Sequence, residues 1–278
     1  MTRPYCEVDV FSADPFSGNP VAVVLDADGL GDETMQRFAA WTNLSETAFV
    51  SAPSSSRADY RVRIFTPTEE LPFAGHPTLG SCHAWRRHTG APPREVTYQE
   101  CAAGLIPIRR TDSGLAFAAP PVRAVELGET LLGRAAESLG LDRAAVVAAH
   151  YGDNGPRWLV LLLATAAEVL ALRPRSIDLQ IGVVGPYPAG SPEAFEVRAF
   201  VPTTGGGVGE DPVTGSLNAI AGRWLLDTGR AAGPYVAGQG TALGRRGRVH
   251  VAGDSDGTLW VGGGVITCVT GSVEIGPG

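Results

Sequence analysis

Alternating apolar and polar residues near the start of the chain predict a β-hairpin. Cys6 to Phe11 alternates as a half-buried strand does, and a second apolar run covers Val21 to Val24. Between the two runs lies Ser17-Gly18-Asn19-Pro20, a group of turn-forming residues. We therefore expect the two runs to pair as adjacent strands.

Apolar residues at helical spacing predict several helices farther along the chain. Asp32 to Asn43 has acidic residues in its first turn and apolar residues behind them, which indicates a helix. A second helix is expected from about Pro77 to His88, after the alternating strand Tyr60 to Phe65. A third is expected over Gly128 to Ala148. Behind Asp211, apolar residues again recur at helical spacing and predict a helix buried in its own half.

A short internal repeat indicates two related halves. Val62 to Thr68 matches Val197 to Thr203 at an offset of 135, with five of seven positions identical. At the same offset and without a gap, His76 to Ser81 aligns with Asp211 to Ser216, so that a proline, a glycine and a serine recur. The repeat predicts pseudo-twofold symmetry, with Ala118 to Arg123 as the linker between halves.

Two aligned prolines, Pro77 and Pro212, predict where two of the helices begin. Proline suits the first helical position, where its fixed φ and missing N–H are tolerated, and the preceding residue becomes the N-cap. His76 and Asp211 are the expected N-caps. Helix N-termini expose unpaired N–H groups and a partial positive charge, which predicts a binding place for a small carboxylate. The alternatives are plain helix capping by Asp211 and a satisfied loop histidine at position 76.

Charge and composition exclude several classes of function. The net charge is −7 at pH 7, which disfavours nucleic-acid binding because phosphate contacts need a concentrated basic surface. All 22 basic residues are arginine, so no lysine can form a Schiff base and pyridoxal-phosphate catalysis is excluded. No window approaches the roughly 20 apolar residues of a membrane helix, so we expect a cytoplasmic protein with no membrane partner.

The cysteines and histidines lack the spacing of a metal site. Four cysteines lie far apart in the sequence, without a CxxC pair. The histidines at positions 76, 83 and 88 do not have the i,i+4 spacing that places two ligands on one helical face. We predict that the protein uses no metal and no cofactor.

Four blocks of sequence resemble one known family. They are Phe16 to Val24, Asn43 to Phe49, Phe65 to Gly80, and Gly209 to Ser216. Together these blocks look like the signature of the PhzF-like family of isomerases, named for phenazine biosynthesis. The resemblance spans nearly the whole chain.

The resemblance implies an α+β fold of the diaminopimelate-epimerase type. In this fold each of two similar halves forms a β-barrel-like sheet around a central helix, and the active site lies in the cleft between the halves. The last strand usually returns to the first half. We therefore expect a first half of residues 1–117 and 259–278, a second half of residues 118–258, and a homodimer.

The resemblance also implies which residues act. Glu46 would take a proton from one carbon of a conjugated system and deliver it to another, whereas the alternative is an exposed glutamate at a strand end. Three further positions match polar cleft residues of the family and are expected to be catalytic: His76, Asp211 and Ser216. Three more are expected to bind substrate: Asn19, Gly75 and Gly215. Thiol epimerases of this fold carry a cleft cysteine in each half, and neither is present here.

These implications predict a cofactor-independent isomerase. It would move a proton or double bond on a small, carboxylate-bearing, amino-acid-derived substrate, in antibiotic or other secondary-metabolite biosynthesis. Two alternatives stay open. One is an epimerase acting at an α-carbon, with Glu46 on one face and Asp211 or His76 on the other. The second is a non-catalytic small-ligand-binding protein that keeps the fold.

Overall fold

Strands make up most of the regular structure, which a computed structural model describes for residues 1–92, 94–203 and 206–276. The helices are α1 (Asp32–Thr42), α2 (Gly75–Thr89), α3 (Glu129–Ser138), α4 (Ala166–Ala171) and α5 (Gly215–Asp227), with 3₁₀ turns at Arg143–Ala145 and Thr241–Leu243. The strands are β1 (Thr2–Val10), β2 (Asn19–Val24), β3 (Thr47–Ser51), β4 (Tyr60–Phe65), β5 (Glu70–Leu71), β6 (Val96–Cys101), β7 (Gly104–Thr111), β8 (Gly114–Ala118), β9 (Arg123–Ala124), β10 (Ala148–Asp153), β11 (Arg157–Leu162), β12 (Ile181–Pro186), β13 (Phe195–Pro202), β14 (Val208–Asp211), β15 (Tyr235–Gln239), β16 (Gly247–Gly253), β17 (Leu259–Gly263) and β18 (Val265–Glu274).

The chain folds into two units. The first contains Met1–Ala118 and Gly262–Gly278, and the second contains Ala119–Val261. The corresponding boundaries predicted from the sequence come after residues 117 and 258. The two predicted halves also include residues 93, 204, 205, 277 and 278, which lie outside the described residues.

In the first unit, strands surround helix α2. The predicted hairpin is confirmed, because β1 and β2 pair antiparallel from Tyr5–Val24 to Val10–Asn19. β18 pairs with the other edge of β1, β3 pairs parallel with β2, and β4 pairs with β3 and with β6. Helix α2 contacts β1, β2, β3 and β8, and the residues from Gly75 to Cys82 are all buried. The helix is therefore the core of its unit.

The second unit repeats the order and pairing of these elements. β10 and β11 form an antiparallel pair, β12 pairs parallel with β11, and β13 pairs antiparallel with β12 and parallel with β15. Helix α5 contacts β10, β11 and β16, and most of its residues are buried. The duplication predicted from the sequence therefore holds at the level of whole elements.

Glycines allow each central helix to approach its strands. A Cβ at Gly80 in α2 would lie 2.4 Å from Cγ1 of Val21 in β2. In the second unit the glycine is on the strand instead, because a Cβ at Gly182 in β12 would lie 2.1 Å from Cδ1 of Leu217 in α5. Both distances are too short for a Cβ unless the facing side chain moves, so glycine permits this close packing.

The predicted helix over Gly128 to Ala148 is wrong beyond its first half. Helix α3 ends at Ser138, a 3₁₀ turn follows, and Ala148 already begins β10. Gly140 has a φ of +71°, and the N–H of Leu141 bonds back to the carbonyl of Ala136. This is the geometry with which a left-handed glycine ends a helix.

None of the helices in the described part of the chain has both the length and the apolar character needed to cross a membrane.

Candidate functional site

The turn between β1 and β2 holds Asn19 in a fixed position. Oδ2 of the buried Asp9 accepts hydrogen bonds from the N–H groups of Ser17, at 2.8 Å, and Gly18, at 2.9 Å. A Cβ at Gly18 would lie 2.1 Å from the carbonyl oxygen of Val10, so the turn accepts only glycine there. Asn19 follows as the first residue of β2 and is fully buried.

The end of α1 and the start of β3 determine where Glu46 lies. Helix α1 ends at Asn43, which has a left-handed φ of +56° and donates its N–H to the carbonyl of Ala39. Glu46 directly precedes β3, which lies between β2 and β4. Its side chain is 17% exposed. The alternative of a freely exposed strand-end glutamate is therefore wrong.

Glu46, His76 and Asn19 meet in the first unit. Oε2 of Glu46 lies 3.3 Å from Nε2 of His76, slightly beyond the usual hydrogen-bond range, so the two groups are in contact without meeting hydrogen-bond geometry. On the other side of the ring, Nδ1 of His76 lies 3.4 Å from Nδ2 of Asn19. Three residues that the sequence placed in three separate blocks thus form one contiguous group.

The imidazole of His76 is neutral in this environment. Burial lowers its pKa from the ordinary 6.5 to about 3, and a hydrogen bond to the carbonyl of Pro20 offsets part of that effect. The contact with Glu46 is therefore not an ion pair near neutral pH. A neutral ring has one donor nitrogen and one acceptor nitrogen, so His76 can hydrogen-bond to either protonation state of the carboxyl group by changing tautomer.

The predicted N-caps of the two central helices are wrong. The N-cap of α2 is Ala74, with Gly75 in the first helical position and His76 in the second. The N-cap of α5 is Thr214, and Asp211 is the last residue of β14. In α2 the reason is that Pro77 is the third helical residue, and none of the first three helical positions has an intrahelical partner for its N–H. In α5, Pro212 lies two residues before the N-cap and is outside the helix. A proline near the start of a helix does not determine which residue is the cap.

A hydrogen-bonded network surrounds the start of α5. The hydroxyl of Thr214 donates to Oδ2 of Asp211 at 2.5 Å and accepts from Nε2 of Gln239 at 3.0 Å. Oε1 of Gln239 in turn accepts from Nδ2 of Asn218 at 2.7 Å. This network attaches Asp211 to the first turn of α5, although Asp211 itself lies in a strand.

Ser216 and Gly215 lie in the first turn of the same helix. Nε1 of the buried Trp158 donates to the Ser216 hydroxyl at 3.0 Å, and Nδ2 of Asn154 donates to the Ser216 carbonyl at 3.0 Å. Gly215 is buried as the first helical residue. The tryptophan fixes the direction of the serine hydroxyl, because an indole N–H can only donate.

The register of the internal repeat changes between the strands and the helices. Arg63 forms a bidentate ion pair with Glu70 and lies 5.1 Å from the ring centre of Phe65. Arg198 does the same with Glu210 and lies 4.7 Å from the ring centre of Phe200. The arginines and phenylalanines are 135 residues apart, whereas the glutamates are 140 residues apart.

The longer offset continues through both central helices. The N-caps Ala74 and Thr214 are 140 residues apart, as are the buried glutamines Gln99 and Gln239. The counterpart of His76 is therefore Ser216 and not Asp211, and the ungapped alignment of the two is wrong after β4. The shift arises because the chain has five more residues between Phe200 and Glu210 than between Phe65 and Glu70.

Sequence comparison decides the family. A profile of the family described as phenazine biosynthesis-like protein matches residues 8–269, nearly the entire chain. The chain belongs to this family.

Relatives of this family member carry different names. It is 37% identical to trans-2,3-dihydro-3-hydroxyanthranilate isomerase of Pseudomonas aeruginosa over 223 residues, and this matched region covers 76% of each chain. It is also 37% identical over 288 residues to antisense-enhancing sequence 1 of Schizosaccharomyces pombe, over 95% of this chain and 96% of the yeast protein. The family and its isomerase-named relatives support an isomerase or epimerase.

Solved structures confirm the α+β, diaminopimelate-epimerase-like fold. The PhzF-family phenazine biosynthesis protein of Bacillus anthracis superposes with a TM-score of 0.84 at 24% identity, over 99% of this chain and all of that one. At 24% identity, this structural similarity establishes the fold alone.

Sequence reasoning missed residues that position the site of this family member. They hydrogen-bond to the candidate residues or to their immediate neighbours, from strands, a loop and α5 itself: Asp9, Asn154, Trp158, Asn218 and Gln239. For Asp9 a signal was available, since a carboxylate within an apolar strand indicates a structural hydrogen-bond acceptor. For the others the chain offers no local pattern.

Proposed function

We propose that the protein is an isomerase that moves a proton between two carbons of a small, amino-acid-derived carboxylic acid, without metal or cofactor. The contact between Glu46 and His76 is the observation that carries this proposal. One carboxylate takes a proton from carbon, the electron pair shifts the adjacent double bond, and the resulting carboxylic acid returns the proton to a second carbon. Atoms and electrons balance without any other reactant.

The surroundings of His76 suit a base that must also act as an acid. When Glu46 is ionised, Nε2–H of the neutral ring can donate to it while Nδ1 accepts from the Asn19 amide. When Glu46 is protonated, the other tautomer carries the ring proton on Nδ1, where the Asn19 amide can present its oxygen as acceptor, and Nε2 can accept from the carboxylic acid. Each half-reaction thus has a matching tautomer, so the histidine supports both states of the glutamate.

The starts of the two central helices suit a substrate carboxylate. Neither first turn contains an acidic residue, and neither N-cap uses its side chain to bond a helical N–H. Gly75 and Gly215 are the first helical residues, and their N–H groups lie at the positive end of a helix. We assign substrate binding to these glycines and to Asn19, with Asp211 and Ser216 as further polar groups on the substrate.

The substrate class follows from the relative at 37% identity, whose name gives its substrate as trans-2,3-dihydro-3-hydroxyanthranilate. That compound is a conjugated amino acid, which suits a single-glutamate proton transfer. We therefore propose a related unsaturated amino acid as substrate, a role in secondary metabolism such as antibiotic biosynthesis, and a cytoplasmic homodimer.

The test is a turnover assay on a panel of unsaturated amino and hydroxy acids that includes trans-2,3-dihydro-3-hydroxyanthranilate. Ultraviolet absorbance follows the shift of the double bond. Glu46→Gln should lower kcat by roughly a hundredfold to ten-thousandfold with substrate affinity nearly unchanged, because the change is close to isosteric but removes the proton carrier. Glu33→Gln makes the same chemical change on the exposed surface of α1 and should retain full turnover.

Wild-type kcat in Glu46→Gln would rule out the proposed mechanism. Saturable binding of a panel member by the wild-type protein, without turnover of any, would favour a non-catalytic ligand-binding protein.

A further inference from the structure

A cavity of about 430 Å³ lies in the first unit at the C-terminal end of α2. Its wall comes from three parts of the unit: α2, the hairpin of β7 and β8, and the start of β18. The lining residues that matter here are His83, Arg86, Arg87, Arg110, Leu115 and Val265. The volume falls within the roughly 300–1,000 Å³ that is usual for small-molecule sites.

Three guanidinium groups give this cavity a local positive charge. Among its described lining residues none is acidic. Within the described residues, the side chains of Arg87 and Arg110 form no ion pair or hydrogen bond, and Arg86 has only a 3.5 Å contact to the Thr97 hydroxyl. In a chain of net charge −7, such a concentration of uncompensated arginines is not a consequence of overall composition.

The histidine in the wall adds hydrogen bonding and not charge. Nε2 of His83 lies 2.8 Å from the hydroxyl of Thr267 in β18. Burial, together with the nearby Arg87, lowers the pKa of His83 below its ordinary value. The positive charge of the cavity near neutral pH therefore comes from the arginines.

Helix electrostatics explain only part of the cluster. Arg86 and Arg87 lie in the last turn of α2, where basic residues interact favourably with the helix dipole. Arg110 comes from β7, on a different element, and still lines the same cavity. Its presence there needs another explanation, and a shared ligand provides one.

The cavity is separate from the Glu46–His76 pair. His76 lies in the first turn of α2, and Arg86 follows ten residues later, which corresponds to about 15 Å along the helix axis. The two places lie near opposite ends of one helix. An anion in this cavity would not contact the proposed proton carrier.

We propose that this cavity binds a small organic anion that carries phosphate or carboxylate groups. Guanidinium groups bind both kinds of group with paired N–H donors, which makes arginine the usual residue for such recognition. Leu115 and Val265 provide an apolar wall for the organic part of the ligand. The site is independent of the proposed function, since it shares no residue with it.

The test is NMR detection of the arginine side-chain Nε–H groups during titration with inorganic pyrophosphate and, separately, with citrate, at constant ionic strength. Saturable shifts of Arg86, Arg87 and Arg110 are expected, and the stronger of the two probes identifies the preferred group. Arg110→Gln and Arg87→Gln should each weaken binding at least about tenfold, the loss expected for a hydrogen bond to a charged group. Arg37→Gln removes the same charge from the exposed face of α1 and should bind like the wild type.

Two results would overturn the proposal. One is the absence of saturable shifts with both probes, or equal weakening by Arg37→Gln, which would show only general screening. The other is movement of these signals on protein dilution without any anion, which would identify the cluster as an interface between copies of the chain.

Discussion

The neutral, buried state of His76 predicts a specific loss of stability in acid. Its pKa is about 3 in the folded protein and the ordinary 6.5 in the unfolded chain. Above 6.5 neither state binds a proton at this ring, so the residue makes no pH-dependent contribution. Below 6.5 the unfolded chain binds the proton and the folded protein does not, so stability falls until the pH reaches about 3.

The size of this loss follows from the two pKa values. Between about pH 8 and about pH 5, the difference lowers the free energy of unfolding by about 2 kcal/mol. Carboxylates contribute to acid unfolding as well, so the measurement must isolate the ring. His76→Gln removes the titrating group, and its own loss over the same pH interval should be smaller than that of the wild type by that amount.

Urea unfolding, followed by tryptophan fluorescence at the two pH values, measures these losses. His88→Gln replaces an exposed histidine on the same helix and should retain the loss seen in the wild type, because His76 is still present. An NMR titration of the His76 ring provides the direct check. Equal pH dependence of the wild type and His76→Gln, or a ring that protonates near pH 6.5, would refute the reasoning.

Two further predictions concern the frame that holds the site, and urea unfolding measures both. Glu210→Gln leaves the buried Arg198 without its bidentate partner and should lower the free energy of unfolding by about 3–5 kcal/mol. Glu70→Gln should lower it by about 1 kcal/mol or less, because the more exposed Arg63 keeps Asp32 as a partner. Equal costs would contradict the role assigned to burial. Gly18→Ala should destabilise by about 3 kcal/mol or more, because its Cβ would overlap a backbone carbonyl of β1; a stability equal to that of the wild type would show that the turn can shift.

The spacing of apolar residues predicted helices and strands well where an element buries one continuous row of apolar side chains. The hairpin of β1 and β2, helix α1 and helix α2 all lie close to the expected ranges. The helix expected up to Ala148 fails because Gly140 ends α3, and composition alone did not distinguish a left-handed glycine from a helical one. The prediction was therefore right that a helix forms here and wrong about where it ends.

The pairing of site residues across the repeat could not be derived from an ungapped comparison. Phe65 pairs with Glu70 and Phe200 pairs with Glu210 across neighbouring strands, but four residues separate the first pair along the chain whereas nine separate the second. The strand pairing and the ion pairs show that the alignment of the two halves needs a five-residue gap here. The sequence alone did not show this gap. His76 consequently aligned with Asp211 when its counterpart is Ser216.

The residues that support the site were hidden for a different reason. Gln239 reaches Thr214 and Asn218 from a strand that follows α5, and Trp158 reaches Ser216 from a strand far earlier in the chain. Such contacts depend on the three-dimensional fold and leave no spacing to recognise. The roles of Glu46 and His76 in catalysis and of Asn19 in substrate binding came from the resemblance to a family, and they stay predictions.

The most direct test of the central claim is proton NMR in D₂O with a substrate from the proposed class, comparing wild type and Glu46→Gln. The wild type should shift the double bond and exchange carbon-bound hydrogen for deuterium at the proton-transfer positions. The variant should do neither while still binding the compound. Exchange or double-bond migration at the wild-type rate in Glu46→Gln would contradict the claim.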